Sequence, residues 1–304
     1  MADEETSFAR RGFHACDERV RHRLEQVGQT FLHGYRAALE EDRPVPLARR
    51  LDELESERRG FAFEGAGMAL DLLDRLTPWN RRRLADFLAG PGAAHTYMVH
   101  VGAGWARALL RRRVDRTRDR LDPLLGWLAV DGYGFHHGYF RWRRVINARQ
   151  VPRGLSGYAL RVFDQGLGRS LWFVEGAGVG RIAATIAGFD GRRHADLWSG
   201  IGLACAYAGG VTREDIGGLS RKAGPYHAHL AQGAAFAAKA RRRAGNPAPH
   251  TDLACQVLCG LPADEAAELT DRALAGLAAE GELPAYEVWR GRIRANWTSE
   301  AVIL

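Results

Sequence analysis

Lysine, cysteine and long apolar runs are scarce in this sequence of 304 residues, and each scarcity narrows the classes of protein that fit. Of the 43 basic residues only Lys222 and Lys239 are lysine, so the net charge of +7 is carried by arginine. The arginine clusters fall mostly near the ends of apolar helical stretches, where they complement helix dipoles in water. No recognition motif or aromatic platform accompanies them, which favours a solvated face over nucleic-acid binding.

The four cysteines form no zinc-binding pattern. Cys255 and Cys259 lie one helical turn apart, a spacing that suits two small buried residues better than a redox pair. No run of 18 apolar residues occurs, as a membrane-spanning helix would require. Residues 1–6 are acidic and polar, unlike a secretory signal, so we expect a cytoplasmic protein with no transmembrane segment.

Strand-like alternation is also absent, because no alternating pattern reaches four residues with turn signals on both sides. Apolar residues instead recur at intervals of three and four, for example at Val20, Leu24, Val27 and Phe31. Such spacing predicts helical stretches that include residues 19–40 and 64–76, residues 118–144 with a Gly-broken joint around 131–134, and residues 162–189 interrupted by glycines. The sequence therefore predicts an all-α protein built as one large compact domain.

A short string occurs twice, since FEGAG at residues 63–67 returns 111 residues later as VEGAG at residues 174–178. Looser pairs of glycine-rich motifs follow in the same order in both parts of the chain. We interpret this as a duplicated helical-repeat array with Gly-rich helices, its first copy in residues 1–150 and its second in 151–304. Chance recurrence is the alternative for the glycine-rich pairs, because the chain is rich in glycine and alanine.

Each copy of the string places a glutamate after an apolar run, where a buried carboxylate is unfavourable unless something pairs with it. Glu64 and Glu175 are therefore candidate catalytic residues, together with His100 and His136, for general acid-base chemistry. The alternative is structural: each glutamate accepts hydrogen bonds from an arginine or from the free amides of a helix start.

A metal site is a further hypothesis, because paired glutamates and histidines on facing helices can hold two metal ions. The candidate ligands are Glu64, His95, His100, Glu175 and His229. The Glu-x-x-His pattern of helical di-metal sites is absent at both glutamates, which weighs against this hypothesis. The cofactor is accordingly left unknown, with a non-haem metal as the alternative.

Six long segments between residues 58 and 261 resemble, in order, the UnbL-type enediyne biosynthesis proteins, a domain-of-unknown-function family. They include RRGFAFEGAGMALDLL at 58–73, LAVDGYGFHHGYF at 128–140 and FDQGLGRSLWFVEGAG at 163–178. The resemblance implies a place in the cassette that accompanies an iterative polyketide synthase and helps turn a linear polyene into the enediyne core. It implies no catalytic residues.

The resemblance also implies a hydrophobic polyene as ligand and other enediyne-cassette proteins as partners. A conjugated polyene is long, flat, apolar and reactive, and its chemistry requires that water be excluded. Gly-rich helices beside aromatic residues suit such a ligand, and we predict that it contacts Trp105, Phe135, Tyr139, Trp172, Phe173 and Trp198. Our first hypothesis is an enzyme that acts oxidatively on the polyene; the others are a non-catalytic carrier and a helical scaffold for the biosynthetic proteins.

Overall fold

The computed structural model describes residues 2–14, 17–77, 79–113, 118, 120–277 and 281–298. Within these ranges it contains fifteen α-helices and no strand, which confirms the all-α prediction. The first seven helices are α1 Phe8–Arg11, α2 Glu18–Glu40, α3 Pro44–Asp52, α4 Ser56–Leu76, α5 Arg83–Ala89, α6 Thr96–Leu109 and α7 Trp127–Phe140. The others are α8 Gly157–Val174, α9 Val179–Ala187, α10 Gly191–Ala208, α11 Arg213–Ala223, α12 His227–Ala244, α13 Pro249–Leu258, α14 Ala263–Leu274 and α15 Ala285–Arg294.

Several helix boundaries differ from those predicted. Helix α4 begins at Ser56 rather than at residue 64, so Glu64 lies in the middle of a helix. The predicted interruption of the stretch 162–189 lies after α8, where Gly176 and Ala177 adopt positive φ angles of 55° and 53°. The predicted stretch 118–144 is replaced by α7, which begins at Trp127 and continues unbroken through the predicted joint at 131–134.

Seven longer helices form a row in which each packs on the next: α2, α4, α6, α7, α8, α10 and α12. The row curls back on itself. Phe61 of α4 packs against Tyr207 of α10 with ring centroids 5.1 Å apart, and Arg23 of α2 donates to the carbonyl oxygen of Ala208 at 2.6 Å. The helices therefore surround a shared interior.

Glycines set the spacing of the helices in this row. A Cβ added to Gly65 of α4 would lie 1.9 Å from the Phe31 carbonyl oxygen of α2, and one added to Gly34 of α2 would lie 1.9 Å from the Ala62 oxygen of α4. Residue numbers thus rise along one helix as they fall along its neighbour, so the two run antiparallel. The same reciprocal contact, at 1.8–2.5 Å, recurs at five more interfaces through Gly67 and Gly102, Gly104 and Gly132, Gly134 and Gly166, Gly168 and Gly200, and Gly202 and Gly233.

These contacts correct the predicted match between Glu64 and Glu175. Glu64 precedes a glycine pair inside α4, whereas Glu175 is the residue that follows the last turn of α8. Gly65 instead corresponds to Gly102, Gly132, Gly166 and Gly200. Each of these glycines lies within a helix, against the backbone of the neighbouring helix, and they follow one another at intervals of 30–37 residues. The division into halves 1–150 and 151–304 stays a prediction; α7 and α8, on either side of residue 150, pack directly on each other.

Helix α15 covers the side of the interior formed by α8, α10 and α12. Its Arg290 is completely buried and pairs with Asp196 at 2.7 Å and with Glu287 at 3.2 Å. Its Trp289 packs on Phe236 of α12, with ring centroids 4.6 Å apart. Pairing of every charge permits this burial, because an isolated buried charge is strongly unfavourable.

The cysteines are core residues, as predicted for the Cys255 and Cys259 pair. Both thiols are buried against α12 and donate to backbone oxygens of Ala234 and Ala231. Cys205 is also buried and reduced. Cys16 lies outside the described residues.

Candidate functional site

Six helices of the row converge on one apolar pocket. The pocket encloses about 590 Å³ of empty space, its mouth included, and residues from α2, α4, α6, α7, α8 and α10 line it. Glu5 and Thr6, which precede α1, lie at its edge. Its lining is mostly apolar and aromatic with a few polar groups, a composition typical of small-molecule sites.

Aromatic rings form one continuous wall of the pocket. The Trp105 ring lies 4.4 Å from Phe31 and 5.1 Å from Phe135, measured between centroids. Phe135 in turn stacks on Tyr139 at 5.9 Å and meets Phe173 edge-on at 5.5 Å. Such a wall offers π faces to a flat apolar ligand and excludes water from the groups beside it.

Glu64 places a buried carboxyl group against this wall. Its side chain is 3% exposed. The pKa of Glu64 is raised to about 7: burial is the main cause, Arg169 opposes it, the nearby Asp131 carboxylate adds to it, and the Trp105 indole lowers it. Oε1 of Glu64 has no hydrogen-bond partner among the described residues. The group can therefore exist as acid or as carboxylate near neutral pH, and it retains a free acceptor.

Arg169 of α8 provides the counter-charge for the pocket. Its Nη2 lies 3.9 Å from Oε1 of Glu64, and its Nη1 forms a short ion pair with Asp131 of α7. Gln165, one turn earlier, donates to Oδ2 of Asp131 at 2.8 Å. The guanidinium carbon also lies 4.9 Å from the Phe135 ring centroid. Although burial lowers the pKa of Arg169, Asp131 and Glu64 raise it overall, so the guanidinium stays charged.

A second cavity lies beside the pocket. This cavity of about 410 Å³ shares Arg169, Leu203 and Tyr207 with the first and extends to Trp289 of α15. The Tyr207 hydroxyl, which lies beside Gly60 of α4, is buried without a hydrogen-bond partner among the described residues. The two cavities therefore share the charged side chain of Arg169 in their linings.

Four of the six predicted ligand contacts lie together in this pocket. Trp105, Phe135, Tyr139 and Phe173 line it beside Glu64; their role in binding stays a prediction. Trp172 does not line the pocket, because its indole N–H donates to the Gly209 carbonyl at 3.1 Å within the core.

Trp198 is likewise a buried residue of α10 that does not line the pocket.

The other predicted catalytic residues lie elsewhere. Glu175 accepts from the Thr185 hydroxyl at 2.8 Å, with Arg181 3.9 Å away, outside the pocket. Nδ1 of His100 lies 2.7 Å from the Thr96 carbonyl within its own helix.

His136 lies behind the aromatic wall, its ring 5.7 Å from that of Trp105. Burial, with His137 and Arg141, lowers the pKa of His136 to about 3. Neither His136, His100 nor Glu175 lines the pocket that contains Glu64.

The candidate metal ligands also fail to assemble. In the described part of the chain, no group of three or more histidine, cysteine, aspartate or glutamate side chains is placed to hold a metal ion. His95 instead stacks on Phe63 at 3.9 Å, and His229 lies where Arg294 and Arg290 influence its pKa. Glu64, His95, His100, Glu175 and His229 therefore form no common site.

The sequence-based reasoning missed Arg169, Tyr207, Phe31 and Phe61. One signal was available: Arg169 is the single charged residue between Leu167 and Val174, an otherwise apolar stretch with one serine. A charge in that setting requires a buried partner, but the sequence does not reveal which one.

Residues 1–297 match the family described as Protein of unknown function (DUF1702). The chain belongs to this family. No curated protein and no solved structure matches it. Among the described helices of this DUF1702 protein, none is both long enough and apolar enough to cross a membrane.

The raised pKa of Glu64 makes the stability of this DUF1702 protein depend on pH. The folded pKa is about 7 against an ordinary value of 4.5, so the folded state binds more protons between these values. The contribution of Glu64 to the free energy of unfolding should therefore be fully present below pH 4.5 and be lost as the pH rises to 7. The contribution lost is about 3 kcal/mol.

Glu64→Gln is expected to remove this contribution. The measurement is urea unfolding at pH 5 and pH 8, since other titrating groups contribute equally to wild type and variant. Glu18→Gln, at an exposed glutamate of α2, is the control and should keep the wild-type pH dependence. An unchanged pH dependence in Glu64→Gln would show that this carboxyl titrates normally.

Proposed function

We propose that this protein binds a slender, apolar, conjugated molecule in its central pocket and that Glu64 exchanges protons with it. The observation that carries the proposal is one carboxyl group, with pKa near 7, set against an aromatic wall beside a buried arginine. Buried titratable groups of this kind are typical of sites that perform acid-base chemistry.

The shape of the interior supports a slender ligand. The two cavities, of about 590 and 410 Å³, share Arg169, Leu203 and Tyr207 in their linings. Aromatic rings line the first cavity. The charged side chains of Glu64 and Arg169 line it as well, inside the cavity rather than at its edge. A rod-shaped conjugated chain would therefore lie along apolar surface with its middle beside the carboxyl.

The chemistry that Glu64 supports is proton transfer. As a carboxylate it removes a proton from a carbon made acidic by a conjugated carbonyl, and as a carboxyl it returns a proton to another carbon of the same chain. The double bonds shift, no electrons are lost, and Arg169 stabilises the carboxylate form. This reaction requires no oxidant.

The resemblance to the UnbL-type enediyne proteins suggests the ligand. On this proposal it is a linear polyene of polyketide origin, and the partners are other proteins of the enediyne cassette. Oxidative formation of the enediyne core, which the resemblance also implies, requires an oxidant and stays a prediction.

Filling the pocket should abolish binding. Ala204 of α10 lines the pocket, and Ala204→Phe places a ring in the empty space. We expect the affinity for diphenylhexatriene, a rod-shaped conjugated hydrocarbon that fluoresces outside water, to fall at least about tenfold. Ala184→Phe, on the exposed face of α9, is the matched control and should bind as wild type. Equal binding by both variants, or none by wild type, would contradict the proposed ligand site.

A carrier would need the pocket but not the carboxyl, which gives a test of the chemistry. We expect wild type in D₂O to introduce deuterium into a bound polyenone, as measured by mass spectrometry, and Glu64→Gln to bind it without exchange. Binding without exchange by wild type would favour the non-catalytic carrier instead.

A further inference from the structure

A basic depression lies on the outer side of α6 and α7, away from the aromatic pocket. Its rim carries Arg111, Arg112, Arg141, Arg144 and Arg153, and it holds about 1390 Å³ of space, its solvent-filled mouth included. We call it the basic depression. Its arginines come from the end of α6, the end of α7 and the segment that leads to α8.

Five arginines of the basic depression form no ion pair with the described residues; Arg113, which also lines it, is not counted among them. Among the described residues that line the depression there is no aspartate or glutamate. The side-chain contact found for these five within the described residues is the bond from Arg144 to Gln150 at 3.3 Å. Like charges gathered in a concave surface repel one another, and a bound anion would relieve this repulsion.

The floor of the depression consists of buried polar rings. Tyr133 and His137 of α7 both line it, are 6% and 5% exposed, and lie 4.6 Å apart between ring centroids. Nε2 of His137 is buried and has no hydrogen-bond partner among the described residues. Burial, with Arg141 and Arg144, lowers the pKa of His137 to about 4, so the ring is neutral and one of its nitrogens keeps unused hydrogen-bonding capacity beneath the depression.

We propose that the basic depression binds a small molecule that carries a pyrophosphate group, such as a nucleoside diphosphate. Planar guanidinium groups bind phosphate oxygens through paired hydrogen bonds, and several of them around one cavity match more than one phosphate. The concave floor with its imidazole suits a compact anion better than an extended nucleic acid or a flat membrane surface. This site is separate from the aromatic pocket and does not depend on its function.

The test is titration calorimetry with inorganic pyrophosphate and with ADP at low salt, on the full chain. We expect binding at one site that weakens as salt is added. In Arg141→Ala/Arg144→Ala the affinity should fall at least about tenfold, because two phosphate contacts are lost. Arg192→Ala/Lys222→Ala removes the same charge from exposed positions and should bind as wild type.

Three results would overturn the proposal. One is the absence of pyrophosphate and ADP binding by wild type, and the second is an equal loss in both double variants. The third is binding to phosphatidylglycerol vesicles or duplex DNA that pyrophosphate does not displace. Chemical shifts of the His137 ring give a second readout, since a bound anion should move them in wild type but not in Arg141→Ala/Arg144→Ala.

Discussion

Gly102→Ala is expected to destabilise the protein by at least about 2 kcal/mol, although alanine is the better helix former. The added Cβ would lie 2.0 Å from the Glu64 carbonyl oxygen and 2.8 Å from the Met68 nitrogen of the facing helix. Both are backbone atoms, so α4 and α6 would have to separate. The free energy of unfolding in urea measures this effect.

Gly180→Ala is the matched control for this substitution. Gly180 lies in α9, is exposed, and an added Cβ there meets no atom within 4 Å. Alanine should stabilise the protein at this position by up to about 1 kcal/mol. Effects of the same sign at Gly102 and Gly180 would contradict the view that glycines set the helix spacing.

Arg169→Met is expected to destabilise the protein by about 3–5 kcal/mol at neutral pH, because it leaves the Asp131 carboxylate buried without its partner. The same change removes the group that lowers the pKa of Glu64, so that pKa should rise above 7. Urea unfolding and titration of Glu64 measure the two effects separately.

Two variants control for the loss of the arginine itself. Arg192→Met, at an exposed arginine, should change stability by less than about 0.5 kcal/mol. Asp131→Leu combined with Arg169→Met should recover much of the loss, because a buried pair can often be replaced by apolar residues. If the double variant recovers no stability, loss of the ion pair is not the main cause of the destabilisation by Arg169→Met.

The fold class could be predicted because apolar spacing is a local property of the chain. The spacing of Val20, Leu24 and Val27 reports a helix whatever it packs against. The repeat was harder to identify. The string at Glu64 and that at Glu175 are nearly identical, yet the first is helical and the second forms the turn after α8, because five residues do not determine their own backbone conformation.

Only part of the candidate site could be predicted, again because a sequence pattern reports local properties of the chain. Glu64 was recognisable as a carboxylate in an apolar stretch, which is a local feature. Its partner Arg169 was not, because the two are far apart in the sequence and meet only when the row of helices curls. Phe173 lines the pocket and Trp172 does not, although both are aromatic residues of α8. The direction in which a side chain leaves the helix, and not its residue type, decides which ring faces the interior.

The helix spacing and the site depend on each other. Gly65 and Gly102 bring α2 and α6 against the backbone of α4 at the level of Glu64. Close packing on both sides leaves the carboxyl one direction in which to point, toward the pocket that it lines. We therefore expect substitutions at these glycines to alter the pKa of Glu64 as well as stability.

The most direct test of this account is the pKa of Glu64 itself. Carbon-13 NMR of the glutamate side-chain carboxyls, with Glu64→Gln to assign the signal, follows its titration in the folded protein. Our account predicts a midpoint of about 7. A midpoint near 4.5, the ordinary value for glutamate, would contradict a desolvated carboxyl in the pocket and the proton-transfer function proposed for it.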